Sequence, residues 1–394
     1  MAKRVMILAA GQLQIPAIRC ALDMGLEVIT LDQNPEALGG KLAHHALPVN
    51  FMDKDAALKA AEKYAIDGVL TVSSDLPVPT VGYLCDQLGL TGISEAVGEI
   101  CANKLMMRRA FMEAKAPCPL FVEAADLDEA LENAAGLTFP VMVKPPDSSG
   151  SRGVRKAETP ADIPDAFQEA MRVSRCGKVI LEEFMSGLEF GAQAVVVDED
   201  VQLIMPHNDT ISSPPYYVPV GHSFPFGCDA AQRAAIERAV IKGVHALGIT
   251  NSGVNLDFIL TDEGPKLIEI GARLGGTCLP ELVLAHTGVD INKAVIQIAI
   301  GEKPDLTVKT NQPVAALLVT SPQTGIVKSI NIQKCERETP GLLDLSIDVK
   351  EEDKVNAFTS GPDRIGQVIV EGENWEAAEQ KAEEIVSEIR IEMV

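Results

Sequence analysis

The feature that most constrains the fold of this chain is the stretch from Ser252 to Pro280, SGVNLDFILTDEGPKLIEIGARLGGTCLP. Two apolar runs flank the segment Thr261–Gly264, a pattern that predicts two short strands joined by a tight turn. Asp257 lies within the first run and Glu269 within the second. Because an unpaired charge is costly to bury, two carboxylates inside apolar strands predict a cationic partner. The competing interpretation is an ordinary hairpin whose acidic side chains face solvent.

Arg273 follows this hairpin and indicates which kind of cation the two carboxylates bind. Two facing carboxylates followed by an arginine are typical of a site where divalent cations hold a polyphosphate. Mg²⁺ prefers one or two carboxylates plus phosphate oxygens to a cage made only of protein ligands. We therefore expect Asp257 and Glu269 to bind Mg²⁺, with Mn²⁺ as a possible substitute.

Composition and charge exclude several classes of protein. With 394 residues, 46% hydrophobic and 23% charged, the chain is long enough for two or three globular domains. A net charge of −22 opposes binding to nucleic acid or to an anionic membrane, since phosphate contacts need clustered Lys and Arg. The eight cysteines include no CxxC pair, so neither a zinc site nor a disulfide framework is predicted.

Targeting signals are not evident in the sequence either. The N-terminal residues MAKRVMILAAGQLQ turn polar too soon for a signal peptide. No run of about 18 apolar residues occurs, so no membrane span is expected. These patterns predict a cytoplasmic protein that acts on small molecules.

The N-terminal region reads as an α/β unit. Strands at 3–10 and 25–32 flank a helix from about 15 to 24, which predicts a βαβ arrangement. Asp32 ends the second strand, where a Rossmann fold places its ribose-binding acid. Gly11 is followed by QLQI rather than by further glycines, so a nicotinamide cofactor is not predicted. We expect a degenerate Rossmann-like domain that helps to hold a substrate, with weak candidate residues at His44, His45 and Asp75.

Further elements are predicted along the chain. Helices are expected at 54–65, 78–88, 95–114, 161–173, 229–247, 279–301 and 374–390, and strands at 67–72, 139–146, 178–184 and 188–198. The proline-rich run 212–227 is expected to be an ordered loop at the mouth of the active site. It carries His222, a candidate for binding substrate or moving protons, and Tyr216 and Tyr217, candidates for a side-chain pocket. Ordinary loop packing is the alternative for all three.

A glycine-rich loop, DSSGSRGV at 147–154, follows the apolar strand that contains Lys144. Glycines allow backbone N–H groups to approach phosphate oxygens, and the lysine adds a positive charge beside them. No GK[ST] follows, so the loop is not a P-loop. A flexible surface hairpin is the competing interpretation.

The segment LEEFMSGLEF at 181–190 is a candidate nucleotide linker. Its backbone could bind adenine, Phe184 could contact the ring, and Glu182, Glu183 or Glu189 could bind ribose hydroxyls. Glutamates at the end of a strand are more often simply solvated.

Taken in order, these features resemble the ATP-grasp superfamily, in the branch of biotin-carboxylase-like enzymes and amino-acid ligases. The resemblance covers essentially the whole chain and implies an α/β and α+β multidomain protein with the ATP-grasp fold. It implies an N-terminal Rossmann-like (pre-ATP-grasp) domain at 1–103 and an ATP-grasp domain at 104–304 whose small mobile lobe spans about 118–190. A small C-terminal α+β domain would occupy 305–394, and a homodimer is expected.

The resemblance also implies a reaction and roles for individual residues. A carboxylate attacks the γ-phosphate of ATP to give an acyl phosphate and ADP, and a nucleophile, usually an amine, then displaces phosphate. The catalytic residues would be Arg273, Lys144 and His222, and the metal ligands Asp257 and Glu269. The ATP-binding residues would be Lys104, Lys144, Ser148, Ser149, Gly150, Ser151, Gly153, Glu182, Glu183, Phe184 and Glu189.

Two details near Arg273 bear on which enzyme this is. The family usually has Asn two residues after the second metal glutamate, where this chain has Gly271. Water or Asn255 could complete the metal site, or metal binding could be weakened. The sequence RLGGT at 273–277 resembles amino-acid and dipeptide ligases, and its glycines could free N–H groups for an anion at a helix start. Small residues needed only for packing are the alternative.

These observations predict an ATP-dependent carboxylate–amine ligase that joins an amino acid or similar small carboxylic acid through an acyl phosphate. One alternative is a purine-biosynthesis-like enzyme that acts on a phosphoribosyl amine. Another is a regulatory protein that binds ATP without turnover.

Overall fold

The structure is a computed structural model that describes residues 2–148, 152–212, 218–332 and 339–394. Its strands form four sheets, and the order of strands in each sheet determines where the polar side chains meet.

The N-terminal sheet is parallel, as the βαβ pattern predicted. Its strand order is β3-β2-β1-β4. The strands are β1 (Arg4–Leu8), β2 (Glu27–Leu31), β3 (His45–Leu47) and β4 (Gly68–Leu70), and the helices are α1 (Ile15–Asp23), α2 (Lys54–Tyr64) and α3 (Val78–Leu88). Four of the five residues of β1 are buried, as expected for a strand covered on both faces. The loop that carries Asp75 follows β4 at the carboxyl end of the sheet.

Two long helices predicted from the sequence are each broken in two, and both predictions were wrong. The first consists of α4 (Glu95–Cys101) and α5 (Lys104–Glu113). Asn103 separates them because its Oδ1 accepts hydrogen bonds from the N–H groups of Leu105 (3.0 Å) and Met106 (3.1 Å). The break places Lys104 in the first turn of α5.

The second predicted helix consists of α9 (Leu279–Thr287) and α10 (Ile291–Ala299). Gly288 ends α9 in the left-handed conformation, with φ of +73°. Asp290 then caps α10 by accepting a hydrogen bond from the Lys293 N–H at 2.9 Å.

A second, mixed α+β region contains a sheet with the order β5-β8-β6-β7. Its strands are β5 (Phe121–Ala124), β6 (Val141–Lys144), β7 (Arg155–Ala157) and β8 (Val179–Glu183), and its helices are α6 (Leu127–Ala134) and α7 (Ile163–Val173). Apolar side chains of both helices and of the sheet form one buried cluster. Strands β6 and β8 pair antiparallel, with Met142 opposite Glu182 and Lys144 opposite Ile180.

The largest sheet has eight strands in the order β13-β12-β9-β10-β11-β14-β18-β16. These are β9 (Leu188–Val197), β10 (Asp200–Ile211), β11 (Pro219–Phe224), β12 (Ser252–Thr261), β13 (Gly264–Gly271), β14 (Val314–Val319), β16 (Leu342–Ile347) and β18 (Gly366–Glu371). The sheet therefore continues across residue 305, where the sequence predicts a domain boundary. That boundary stays a prediction.

The remaining C-terminal elements form a small sheet with the order β17-β15-β19. They are β15 (Gly325–Asn331), β17 (Lys354–Val355) and β19 (Arg390–Met393), with helix α11 (Trp375–Glu388) before the last strand. None of the helices in the described residues is long and apolar enough to span a membrane.

The two faces of the large sheet differ in chemistry because side chains alternate along each strand. Phe190, Leu256, Phe258 and Ile270 belong to a buried cluster that includes residues of helix α8 (Ala230–Leu247). The alternate positions on the same strands include the polar residues Gln193, Asn255, Asp257 and Glu269. The sheet therefore has an apolar face that packs on α8 and a polar face that carries the candidate site.

Candidate functional site

The centre of the polar face is a row of residues on four neighbouring strands. Glu269 pairs with Asp257, Asp257 with Gly191, and Gly191 with His207. Directly opposite residues in a sheet project from the same face. The hairpin predicted from the sequence is therefore present, and its two carboxylates lie side by side.

The two carboxylates lie in an electrostatic environment that favours a cation. Burial, together with the nearby Glu269 and Asp209 carboxylates, raises the pKa of Asp257 to about 7. A cation placed between Asp257 and Glu269 would relieve this repulsion.

A chain of hydrogen bonds fixes the orientation of Asp257. Gly275 N–H donates to Gln193 Oε1 (2.7 Å), Gln193 Nε2 donates to Asn255 Oδ1 (2.7 Å), and Asn255 Nδ2 donates to Asp257 Oδ1 (3.1 Å). Asn255 therefore orients Asp257, and its expected part in the metal site stays a prediction. The Gly275 N–H is also engaged, so the expectation that it is free for an anion was wrong.

Lys104 joins the carboxylate pair to the glycine-rich loop. Its Nζ donates to Glu269 Oε1 and to the Ser148 carbonyl oxygen, both at 2.9 Å. Burial alone would lower the pKa of Lys104, but the Glu269 carboxylate outweighs it and raises the pKa, so the side chain is a cation. Lys104 thus lies between the predicted metal ligands and the predicted phosphate loop.

The predicted loop residues are only partly described. Ser148 has a buried Oγ for which the described part of the chain offers no hydrogen-bond partner, and Gly153 has φ of +74°. Ser149, Gly150 and Ser151 lie outside the described residues, as do Tyr216 and Tyr217. A buried hydroxyl without a partner is an exception that calls for one, and a phosphate oxygen is of the right chemistry.

Lys144 is held in a buried network with two charged partners. Its Nζ lies 2.5 Å from Glu182 Oε2, and Arg108 Nε donates to Glu182 Oε1 at 2.7 Å. Burial lowers the pKa of Lys144 to about 8. The Glu182 carboxylate therefore positions Lys144, and its expected contact with adenine or ribose stays a prediction.

The other residues of the predicted nucleotide linker lie around the end of β8. Glu183 Oε1 accepts a hydrogen bond from the Thr138 N–H at 2.8 Å, so its side chain holds the loop between α6 and β6. Phe184 is 43% exposed, with the ammonium of Lys156 4.2 Å from its ring centroid. Glu189 is exposed at the start of β9. An exposed aromatic ring beside a strand end is available to contact a nucleobase.

Arg273 pairs with Asp75 from the N-terminal sheet. Its Nε donates to Asp75 Oδ1 (2.8 Å) and its Nη2 donates to Asp75 Oδ2 (2.7 Å), a two-point ion pair. Burial would lower the pKa of Arg273, but the Asp75 carboxylate outweighs it and raises the pKa. Asp75, a weak candidate from sequence, therefore belongs to the site.

The loops around this ion pair are joined by backbone contacts. Val72 forms a parallel bridge with Leu274, and Ser73 N–H donates to the Leu274 carbonyl at 3.0 Å. The N-terminal sheet thus extends the site at the edge next to Arg273.

His222 lies in strand β11 and is buried, so its expected position in a loop was wrong. The prolines on either side suggested a loop, but residues 221–223 pair with β10 on one side and with β14 on the other. His222 Nδ1 lies 2.6 Å from Asp209 Oδ1, and His207 Nδ1 lies 2.8 Å from the same oxygen. The three side chains project from the polar face of the sheet.

The other weak candidates have structural partners. His45 Nε2 lies 2.9 Å from Glu27 Oε1, and His44 Nδ1 accepts a hydrogen bond from the Val28 N–H at 3.1 Å. Both therefore contact strand β2.

Sequence reasoning missed Arg108, Gln193, His207 and Asp209. Two local signals could have found three of them. Arg108 is one helical turn after Lys104, so the two share a face of α5. His207 and Asp209 alternate in a strand and must share one face of the sheet.

Comparison with known families supports the architecture of this site. A family model described as the ATP-binding domain of the carbamoyl-phosphate synthase L chain matches residues 103–307, just over half of the chain. The chain belongs to the ATP-grasp superfamily. The predicted family and fold class are thereby confirmed. A second model, described as L-amino acid ligase C-terminal domain 2, matches residues 317–394.

Solved ATP-grasp structures match the whole chain. Phosphoribosylglycinamide synthetase from Anaerococcus prevotii is 29% identical, with a TM-score of 0.86 and coverage of 100% of both chains. L-amino acid ligase from Bacillus licheniformis is 20% identical, with a TM-score of 0.82 and coverage of 100% of this chain and 99% of that one. The biotin carboxylase domain dimer of Hydrogenobacter thermophilus 2-oxoglutarate carboxylase, in complex with MgADP, ADP and bicarbonate, is 19% identical, with a TM-score of 0.83 and coverage of 100% and 91%.

Among curated relatives, human carnosine synthase 1 is 24% identical over 341 residues, which cover 77% of this chain and 40% of that protein. The chain spans between 40% and 65% of the length of the first curated relatives that it matches.

Proposed function

We propose that this protein is an ATP-dependent carboxylate–amine ligase that activates an amino acid or similar small carboxylic acid as an acyl phosphate. The observation that carries this proposal is that Lys104 bonds Glu269, Glu269 pairs with Asp257, and Arg273 is close enough to interact electrostatically with both carboxylates. Phosphoryl transfer needs mainly positioning and charge neutralisation, so cations and metal ligands suffice without a covalent nucleophile.

The nucleotide would lie between the small sheet and the polar face. Lys104 and Lys144 would bind the phosphates, and the Ser148 hydroxyl and the 148–153 loop would add hydrogen bonds. Phe184 would contact adenine, and Glu189 is available to the ribose hydroxyls. Glu182 and Glu183 would support the nucleotide-binding residues, because the Glu182 carboxylate is engaged with Lys144 and the Glu183 carboxylate with the Thr138 N–H.

The residues present fit a Mg²⁺ ion. Asp257 and Glu269 are adjacent carboxylates, and hard oxygen donors of this kind suit Mg²⁺ or Mn²⁺. When bound, Mg²⁺ would neutralise charge on the phosphates. The Gln193–Asn255 hydrogen bonds orient the Asp257 carboxylate toward that role.

Arg273 is suited to hold the carboxylate that attacks ATP. Its planar guanidinium has five N–H donors, and the described hydrogen bonds to Asp75 and to the Leu274 carbonyl engage three of them, which leaves one N–H on Nη1 and one on Nη2 for a substrate carboxylate. Lys104, beside Glu269, would stabilise the negative charge that moves between the γ-phosphate and ADP.

An amino-acid substrate is supported by two likenesses. The C-terminal 317–394 segment matches a domain named for L-amino acid ligases, and one relative is named carnosine synthase. The RLGG sequence at 273–276, which resembles amino-acid and dipeptide ligases, also supports an amino-acid substrate. The acid, the amine and the expected homodimer remain proposals.

A second candidate function is favoured by one specific observation. The phosphoribosylglycinamide synthetase structure matches all of the chain at 29% identity, higher than the amino-acid ligase structure. A phosphoribosyl substrate would need basic groups for its phosphate. Arg273 and Lys104 are already committed to the acyl and nucleotide phosphates in this account, which places the candidate second.

The experiment that tests the proposal is ADP release from Mg-ATP with the twenty amino acids, singly and in pairs. Separate reactions contain bicarbonate or a phosphoribosylamine-type substrate. Stimulation by an amino acid or a pair supports the ligase, whereas stimulation only by the phosphoribosyl compound supports the second candidate. ATP binding without ADP release in any reaction would contradict both and favour a regulatory protein.

A further inference from the structure

The cluster of His207, Asp209 and His222 has a defined pattern of protons. Asp209 Oδ1 lies 2.8 Å from His207 Nδ1 and 2.6 Å from His222 Nδ1. Burial would raise the pKa of Asp209, but the two histidines outweigh it and hold the pKa below its ordinary value. An ionised carboxylate can only accept hydrogen bonds, so both Nδ1 atoms must carry the hydrogen. In the neutral histidines, each Nε2 then has a free lone pair.

The His207 side chain is only 2% exposed, and its buried Nε2 has no hydrogen-bond partner among the residues that the structure describes. Buried polar atoms are nearly always satisfied, so this one indicates a ligand. Its ring lies over Gly191, where a Cβ atom would come within 2.6 Å of Nε2. Only glycine leaves room for the ring at this position.

The position of the cluster relates it to the acyl phosphate site. Gly191 pairs with His207 on one side and with Asp257 on the other, so the imidazole covers the backbone that separates these two side chains. Glu189 precedes this pair on β9, and the Asp209 carboxylate is close enough to contribute to raising the pKa values of both Glu189 and Asp257. Lone pairs and carboxylates on one face of the sheet suit a group that brings N–H donors and a positive charge.

We propose that His207, Asp209 and His222 form the subsite that binds the attacking ammonium group and accepts its first proton. This inference rests on the proposed function. The proton passes to a histidine Nε2, and Asp209 stabilises the resulting imidazolium. The neutral amine forms the C–N bond while the C–O bond to phosphate breaks and phosphate leaves with that electron pair. The nitrogen loses a second proton to the departing phosphate, and the histidine returns the first to solvent.

Hydroxylamine distinguishes this role from a structural one, because it is already a neutral nucleophile near neutral pH. The His222→Gln and His207→Gln variants should form amide with the amine substrate about 10²-fold more slowly than the wild type, the usual contribution of a general base. With hydroxylamine and the same acid, hydroxamate formation should fall much less. His286→Gln is the matched control, since His286 is also buried but bonds the Gln312 carbonyl and stacks on Phe224.

Equal losses with both nucleophiles would overturn the proposal, as would amide formation that is unaffected in both variants. If the wild type forms neither amide nor hydroxamate with any amino acid, the proposed function itself fails. The two failures are therefore distinguishable.

A measurement on the protein alone tests the proton pattern in every case. Long-range ¹H–¹⁵N spectra, assigned with the two Gln variants, should show the Nδ1–H tautomer for both His207 and His222. An Nε2–H tautomer at either residue would remove the acceptor and overturn the proposal. Stoichiometric zinc in the purified protein that is lost in His222→Gln would do the same, because these side chains would then be metal ligands.

Discussion

Gly271 and Asp75 share one small volume, because a Cβ atom on Gly271 would lie 2.6 Å from Asp75 Oδ1. The family usually has a side chain at this position, and here the space is filled by a carboxylate from the N-terminal sheet. That carboxylate holds Arg273 at two points. The absence of a side chain at Gly271 therefore makes room for the Asp75 carboxylate and is not by itself a sign of lost activity.

Gly271→Ala should destabilise the protein. The added methyl would push Asp75 away from Arg273, and overpacking of this kind typically costs about 1–3 kcal/mol. Urea unfolding monitored by circular dichroism measures the change. Gly361→Ala is the control because no atom of the described residues lies within 4 Å of a Cβ atom there. Equal stability of the two variants would show that the site at Gly271 can relax.

Glu269→Gln should lower Mg²⁺-dependent turnover by at least about 10²-fold, since the substitution removes charge from the metal pair and from Lys104. The Mg²⁺ concentration dependence of ADP release measures this effect. Glu263→Gln on the same hairpin should change little, because Glu263 is exposed and pairs only with Lys266 among the described ion pairs. Unchanged Mg²⁺ dependence in Glu269→Gln would exclude this residue as a metal ligand.

Arg273→Gln should lower turnover by about 10²–10³-fold through loss of acyl phosphate stabilisation, with ATP affinity nearly unchanged. Turnover assays and calorimetric titration with a non-hydrolysable ATP analogue separate the two effects. Arg233→Gln, which breaks an ion pair to Glu237 on α8, is the matched control. Loss of nucleotide binding in Arg273→Gln would instead assign this arginine to ATP.

ATP binding should weaken as the pH rises through about 8. Burial lowers the pKa of Lys144 to about 8, so above that pH the side chain loses the proton and the charge that attract phosphate. Titration with the ATP analogue from about pH 6 to about pH 10 tests this. Lys144→Arg keeps its charge over the whole range and should not show the decline. A wild-type affinity that is constant with pH would contradict the assigned role.

Arg108→Met should destabilise the protein by about 3–5 kcal/mol, because it breaks a buried charge network and leaves Glu182 with Lys144 alone. Arg109→Met on the next position is a close control. Its partner Glu123 is at the surface, where an ion pair contributes about 1 kcal/mol or less. Chemical unfolding of both variants gives the comparison, and similar losses would mean that the buried network is not coupled to folding.

The local parts of this architecture could be predicted from sequence. The β12–β13 hairpin follows from two apolar runs around a turn, and its register places Asp257 opposite Glu269. Helix α3 begins and ends as the proline and glycine signals indicate. The capping signals at Asn103 and Asp290 were also present in the sequence, but the longer apolar periodicity obscured them.

The contacts between distant segments could not be predicted. Asp75 meets Arg273 only because a loop of the parallel sheet packs against the end of the hairpin. Asp209 meets His222 only because β11 pairs with β10, and the prolines around His222 suggested a loop. Such pairings depend on strand order in the sheet, which one sequence does not reveal.

The most direct test of the central claim follows an isotope from the acid to the phosphate. The acid that stimulates ADP release is labelled with ¹⁸O in both carboxylate oxygens and incubated with Mg-ATP and the amine. An acyl phosphate requires that one labelled oxygen leave with the phosphate, so the inorganic phosphate should carry one ¹⁸O atom per amide formed. Unlabelled phosphate would contradict activation of the acid by phosphorylation and, with it, the assigned function.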